Sequence, residues 1–381
     1  MLRKGIVIFL LFCFVVGALA ACEPVVDPVE GSTGVSSEPE SSVVSVPSAS
    51  SASPVSSAPP EYTLSEPSDE TPSEPESSDD VSEEVSYPDP VFPGGNLETP
   101  KNPDDGKVRI RSLTQESKNT LLTYGDIDPS DPVFAEALGQ IQELIDGYDK
   151  KVSFCAYALD GSRAVTYNCE EQYFSACTIK AGFLLYCCLA IEQGLASKDE
   201  VMYYQEKYYH GGSGKIKNSP YGTPYTLEYL IGQCLSISDN VAYEMLSAYF
   251  GHVGYNEMIQ TLGVDRLTMG SSIWSYRMTA RDLAIIWREL YFYFQTETPM
   301  ANFYYKSCTN TPFNYATVYL DERYSHKSGD NFGANAVYND GAIIWADRPY
   351  VIAILNNSEG EKKDEELVGT IVKIINDSLM K

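Results

Sequence analysis

Three short strings hold the residues whose types and spacing could do chemistry. In "FSACTIKAG", Cys177 and Lys180 stand three residues apart at the opening of an apolar helical pattern. That spacing puts both on one face, a single turn apart. A thiol at a helix N-terminus meets unpaired backbone N–H groups and the positive end of the helix dipole, both of which favour negative charge. A neighbouring lysine lowers the thiol's pKa further and can accept or relay the nucleophile's proton. Ser175 lies two residues too early to serve in place of Cys177. The second string, "LSISDNVAYEML", contains Ser238, Asp239 and Asn240. The third, "HKSGDNFG", places Lys327, Ser328 and Gly329 on a predicted strand, where a glycine leaves room for an extended ligand alongside. The chemistry this suggests is nucleophilic and covalent.

Taken in order, the strings resemble the S-x-x-K, S-D-N and K-T-G motifs of class A β-lactamases and penicillin-binding proteins, the penicillin-recognising serine hydrolases. Each is weak alone; their order, spacing and local setting together make coincidence improbable. The run "NDGAIIWADRPYVIAIL" is similar to the last two strands of that fold, and the resemblance spans roughly 152–381. It implies Cys177 as nucleophile, Lys180 as its base, and Ser238 as the shuttle that protonates a leaving nitrogen. By the same resemblance Asn240 holds a substrate amide and steadies Lys180. Lys327 and Ser328 grip a carboxylate, Gly329 admits the substrate, and the backbone N–H groups of Cys177 and Asp330 form the oxyanion hole. The implied ligand is a β-lactam or an acyl-D-Ala peptide of the cell wall, and no cofactor is implied.

Two departures bear on turnover. The reactive position carries sulfur, which leaves three readings open: a working nucleophile, a degenerate position in a binding-only protein, or an inert buried cysteine. A redox-active thiol on the same scaffold is a further alternative. Class A β-lactamases also carry a glutamate, in an E-x-x-L-N string on an Ω-loop, that activates the deacylating water. The corresponding stretch here, "GVDRLTMGSSIWSYRMTARDLA", has no glutamate, so slow deacylation is expected. Trp274 and Tyr276 fall in that stretch as possible cleft residues. The tyrosines of "MYYQEKYYHGGSG" (Tyr203, Tyr204, Tyr208 and Tyr209) read chiefly as packing residues, and His326 as a strand residue.

The elements that must position these residues follow from periodicity. A helix is expected over Pro132 to Tyr148, and a hairpin from Val152–Leu159 and Ala164–Asn168 across the Asp160-Gly161 turn. Helical patterns fill the middle. Strands follow near Tyr324–Ser328, Ala336–Trp345 and Tyr350–Leu355, with a closing helix over Lys362–Leu379. The expectation is an α/β chain of the α+β type: a five-stranded antiparallel sheet flanked by helices, with a helical subdomain, as in β-lactamases and transpeptidases.

Composition divides the chain. Arg3 and Lys4 precede an apolar run, Gly5 to Val16, and then Leu19-Ala20-Ala21-Cys22. The run is shorter than the roughly 20 residues a bilayer core requires. This pattern resembles a bacterial lipoprotein signal over 1–21, with Cys22 lipidated and the domain held at the outer face of the cell membrane. Residues 22–105 are dominated by Ser, Pro, Glu, Val and Asp and read as a disordered acidic spacer. Nineteen acidic residues between Cys22 and Asp105 face one base, Lys101, so most of the net charge of −26 sits outside the globular part, 106–381. No basic cluster favours nucleic acid. His210, His252 and His326 are far apart and no C-x-x-C pair occurs, so no metal site is expected.

Overall fold

The computed structural model describes residues 90–381 apart from 91, 96, 100, 101, 103, 115, 116 and 271. The expected signal and Cys22 lie outside the described residues, as does nearly all of the spacer. Phe92 and Leu97, within the stretch that composition assigns to the spacer, pack against the core, with Phe92 set 5.1 Å from the Phe250 ring.

Strands β1 (Leu121–Gly125), β2 (Val152–Ala158) and β3 (Arg163–Tyr167) come from the first part of the domain. Strands β9 (Tyr324–Asn331), β10 (Val337–Ile344) and β11 (Tyr350–Asn356) come from the last. They form one antiparallel sheet in the order β1-β3-β2-β11-β10-β9. The sheet has six strands where five were expected. The added one, β1, pairs Leu121 with Tyr167 and Gly125 with Arg163 on the free edge of β3. Its sequence, LLTYG, is short and only half-buried, so no clear alternation marks it.

Both faces of the sheet are covered, which explains why its central strands read as continuous apolar runs. On one face Phe154, Ala156, Ile352 and Ile354 meet helices α1 (Pro132–Asp146) and α8 (Lys362–Ile374). On the other, Cys155, Tyr157, Val351 and Ala353 meet α2 (Ile179–Glu192) and α6 (Ala280–Phe294). Gly341 of β10 lets α6 rest on the sheet, since a Cβ there would come within 2.6 Å of Trp287. The remaining helices are α3 (Leu227–Ser236), α4 (Asn240–Phe250), α5 (Val253–Thr261) and α7 (Pro299–Cys308). They pack around α2, which is apolar on all sides and buried along most of its length. Short strands β4 (Tyr173–Phe174), β7 (Thr268–Met269) and β8 (Tyr276–Met278) form a small sheet in the order β4-β8-β7. Strands β5 (Val201–Tyr203) and β6 (Pro224–Thr226) pair separately.

Boundaries shift where local geometry overrides pattern. The closing helix ends at Ile374, and Ile375–Met380 continues it as a wider π-type coil. The expected helix start at Cys177 is instead a tight 3₁₀ turn, Ala176–Thr178, that leads into α2.

Candidate functional site

Cys177, Lys180, Ser238, Asn240, Lys327 and Gly329 meet where the turn at 176–178, the start of α4 and strand β9 come together. Two non-glycine residues in the left-handed region mark the junction, Ala176 (φ 45°) and Ser238 (φ 58°). Side chains occupy that region at a cost, and such strain persists where surrounding structure imposes it. Asp239 supplies part of that structure. It caps α4 by accepting from the Ala242 amide at 3.0 Å, and its other oxygen accepts from the Lys215 and Ile216 amides at 2.7 and 3.0 Å. Asn240 donates to the Gly211 carbonyl at 2.8 Å, and its amide donates to the Ser213 carbonyl at 3.1 Å. The glycine-rich loop 211–214 is thus bound to the Ser238-Asp239-Asn240 string.

Lys180 is fully buried on the second residue of α2. Its ammonium donates to the Ser238 carbonyl at 2.8 Å, to Asn240 Oδ1 at 2.7 Å and to Ser238 Oγ at 3.4 Å. It also faces the rings of Tyr243 and Trp274, 5.4 and 5.7 Å from their centroids. Cys177 is partly exposed, with Sγ 3.9 Å from Asn240 Oδ1. Burial alone would push its thiol pKa up. The positive charges of Lys180 and Lys327, with hydrogen bonding from Ser238 and Lys180, outweigh burial and bring it below the ordinary thiol value. Burial and the charge of Lys180 pull the Lys327 ammonium down, against an opposing pull from Cys177. Lys327 donates to the Ser328 carbonyl at 2.7 Å.

β9 is the end strand of the large sheet, and it presses on the turn that carries Cys177. A Cβ on Gly329 would run into the backbone nitrogen of Cys177 and lie 2.7 Å from that of Thr178. Glycine is required there for close approach as well as for ligand access. Asp330 is exposed, and its carboxylate accepts from the Tyr315 hydroxyl at 2.8 Å. His326 lies on the opposite face of β9 from Lys327 and is buried against Asp340 (3.2 Å) and Thr311 Oγ1 (2.8 Å). Asp340 also accepts from the amides of Tyr315 and Ala316. The histidine therefore ties the loop after α7 to the sheet.

That loop narrows the cleft. Ser238, Lys327 and Ser328 share a cavity of about 10 Å³ with Thr311, Pro312 and Phe313, room for about one water. Phe313 is exposed and sits at φ 67°.

Trp274 does line the site, but Tyr276 does not. Tyr276 is fully buried, with its hydroxyl 2.9 Å from His252 Nδ1 and 3.2 Å from Asn256. Tyr204 and Tyr208 are buried and Tyr209 is exposed. His210, between those tyrosines and the glycine-rich loop, stacks on Trp274 with ring centroids 4.0 Å apart. Sequence reading gave His210 no role in the site. Its position just before Gly211, the loop anchor of Asn240, was the available signal. Among the described residues no cluster of three or more metal-ligating side chains occurs, and none of the seven cysteines from Cys155 to Cys308 is joined in a disulfide.

No curated protein matches the sequence. Solved structures share the architecture. PBP-A aligns with a TM-score of 0.56 at 18% identity, over 63% of this chain and 94% of that one. A PBP-A variant determined as an acyl-enzyme complex with penicillin G aligns equally well, over 95% of its length. A β-lactamase from Sphaerobacter thermophilus gives a TM-score of 0.55 at 21% identity, covering 65% of this chain and 96% of that one. At these identities the likeness establishes the fold. Membership rests on the sequence model of the β-lactamase enzyme family, which matches residues 138–379, well over half the chain, and to that family this chain belongs.

Proposed function

We propose that this chain forms a covalent acyl-thioester on Cys177 with a β-lactam or an acyl-D-Ala peptide, and releases it slowly. The observation that carries this reading is the position of the sulfur between two buried ammonium groups, which bring its thiol below the ordinary value. A thiolate so stabilised can attack without a strong base. Lys180 then serves as its counter-ion and proton relay. The sulfur adds to the carbonyl carbon, the amide C–N bond breaks, and the Ser238 hydroxyl delivers the proton to the leaving nitrogen. Backbone N–H groups of Cys177 and Asp330 take up the oxyanion charge, and Lys327 with Ser328 holds the carboxylate.

The setting belongs to the same reading. Lipidation at Cys22 and an acidic spacer would hold the domain outside the cell membrane, within reach of cell-wall peptide. Sulfur at the position that the motif gives to serine favours one rival, a protein that binds such ligands without acylation.

Incubation of the purified chain with a labelled penicillin, followed by intact mass measurement, separates the readings. The expected result is a single adduct in wild type and none in Cys177→Ala. An adduct confined to Cys177→Ser would reveal a binding-only protein with an otherwise intact site. No adduct in wild type, Cys177→Ser or Cys177→Ala removes penicillin recognition altogether.

A further inference from the structure

Hydrolysis of an acyl-thioester needs a water at the carbonyl and a group to take that water's proton. The stretch 263–284, which runs from the end of α5 into the first turns of α6, offers two carboxylates, and both are engaged elsewhere. Asp265 pairs with Arg281, and Asp282 closes the capping box of α6 with Thr279. The group that this stretch does bring to Lys180 is an indole.

Trp274 is fixed from several sides. Its ring faces the Lys180 ammonium at 5.7 Å, and the Tyr243 ring meets it edge-on at 5.0 Å. His210 stacks on it at 4.0 Å with 25° between the planes. The indole N–H donates to Glu244 Oε1 at 2.5 Å, and Glu244 lies one turn beyond Asn240 on α4. That hydrogen bond ties the indole to the helix that carries Asn240. The Tyr243 hydroxyl donates to the Ile273 carbonyl at 3.4 Å, holding the backbone next to the tryptophan.

We propose that Trp274, locked by His210 and Glu244, is an apolar cover that keeps water from acyl-Cys177, so that the chain retains an acyl group once it is loaded. The proposal rests on the acyl-thioester reading above. Trp274 acts here as a positioning residue: it touches the counter-ion of the nucleophile and excludes the second reactant. The suppressed step is addition of water to the thioester carbonyl, cleavage of the C–S bond, and release of the acid with return of a proton to sulfur. Opening the cover should speed that step without any change in the acylating residues.

The test uses p-nitrophenyl acetate, which acylates a low-pKa thiol by its own reactivity. Thiolate attack transfers acetyl to Cys177 and expels p-nitrophenolate. The lifetime of the acetyl adduct is then followed by intact mass, with Cys177→Ala as the blank. Expected is a persistent adduct in wild type, a lifetime at least tenfold shorter in Trp274→Ala, and one several-fold shorter in His210→Ala. Trp274→Phe, which keeps an aromatic ring but loses the hydrogen bond to Glu244, should fall between wild type and Trp274→Ala. Should Trp274→Ala be poorly folded, the comparison of His210→Ala with wild type carries the decision, since His210 stacks on the indole without touching the turn that carries Cys177. Equal lifetimes in wild type, Trp274→Ala and His210→Ala overturn the cover. A wild-type adduct that hydrolyses as fast as a thioester on an unstructured peptide also overturns it. Labelled penicillin reports separately on the underlying reading. A persistent acetyl adduct without a penicillin adduct would reject β-lactam recognition and leave the cover standing.

Discussion

Sulfur at position 177 sits between two lysines that are both almost completely buried, and its reactivity depends on them. Burial raises the thiol's pKa, the ammonium groups of Lys180 and Lys327 lower it, and the charges win. The alkylation rate of Cys177 by iodoacetamide should therefore reach half its maximum at a pH below that of an ordinary thiol. Lys327→Ala removes one of the two charges and should move that midpoint upward. A midpoint at the ordinary thiol value, unmoved in the variant, would contradict the electrostatic account. The residue types at this site were legible in the sequence because each motif sits on a short, regular piece of chain. The roles of Gly329 and Asp340 were less so. Gly329 matters as much for the Cys177 backbone it must clear as for any ligand, and Asp340 works by binding a loop 24 residues away in sequence.

At the scale of elements, α2 is the part on which the site depends, and His252 reports on its packing. His252 precedes α5 and lies flat on Phe183 of α2, with ring centroids 4.5 Å apart and planes 9° from parallel. Burial lowers its pKa from 6.5 to about 4, so the fold favours the neutral ring. The resulting stabilisation is complete above pH 6.5 and is lost as the pH falls from there through 4. Its full size is about 3 kcal/mol, since a tenfold change in proton affinity corresponds to about 1.4 kcal/mol. Urea unfolding should show a midpoint that drops across this window in wild type and drops less in His252→Phe, which keeps the ring stack without the titration. Identical pH profiles for the two proteins would assign the acid sensitivity to other groups. None of this was readable from the chain, where His252 is an isolated histidine beside a glycine. Its surroundings come from α2, α5 and β8, which are far apart in sequence.

Over the whole molecule, the two apolar layers on either side of the sheet determine which thiols can react. Cys155, Cys187 and Cys188 are fully buried and their thiols are pushed well up; burial also raises Cys234 to about 12 and Cys169 to about 11. Of the seven thiols between Cys155 and Cys308, Cys177 alone should react rapidly with a disulfide reagent in the native protein. Cys177→Ala should abolish that fast phase, and the other six should appear only in denaturant. A second fast thiol among them would mean that one of the layers opens in solution.

By itself the sequence determined the fold class and the central strands and singled out Cys177, Lys180, Ser238, Asn240 and Lys327 as a candidate set, because periodicity and motif spacing are local properties. The tertiary structure alone decided three things. A sixth strand completes the sheet by pairing on the edge of β3, an interaction between segments that local pattern does not encode. The Pro312–Phe313 segment narrows the cleft through the Asp340 and His326 contacts. Trp274, which the sequence offered only as a candidate cleft residue, faces Lys180 because His210, Tyr243 and Glu244 hold it there. Each of these depends on which surfaces are buried against which, and that is settled only when the whole chain has packed.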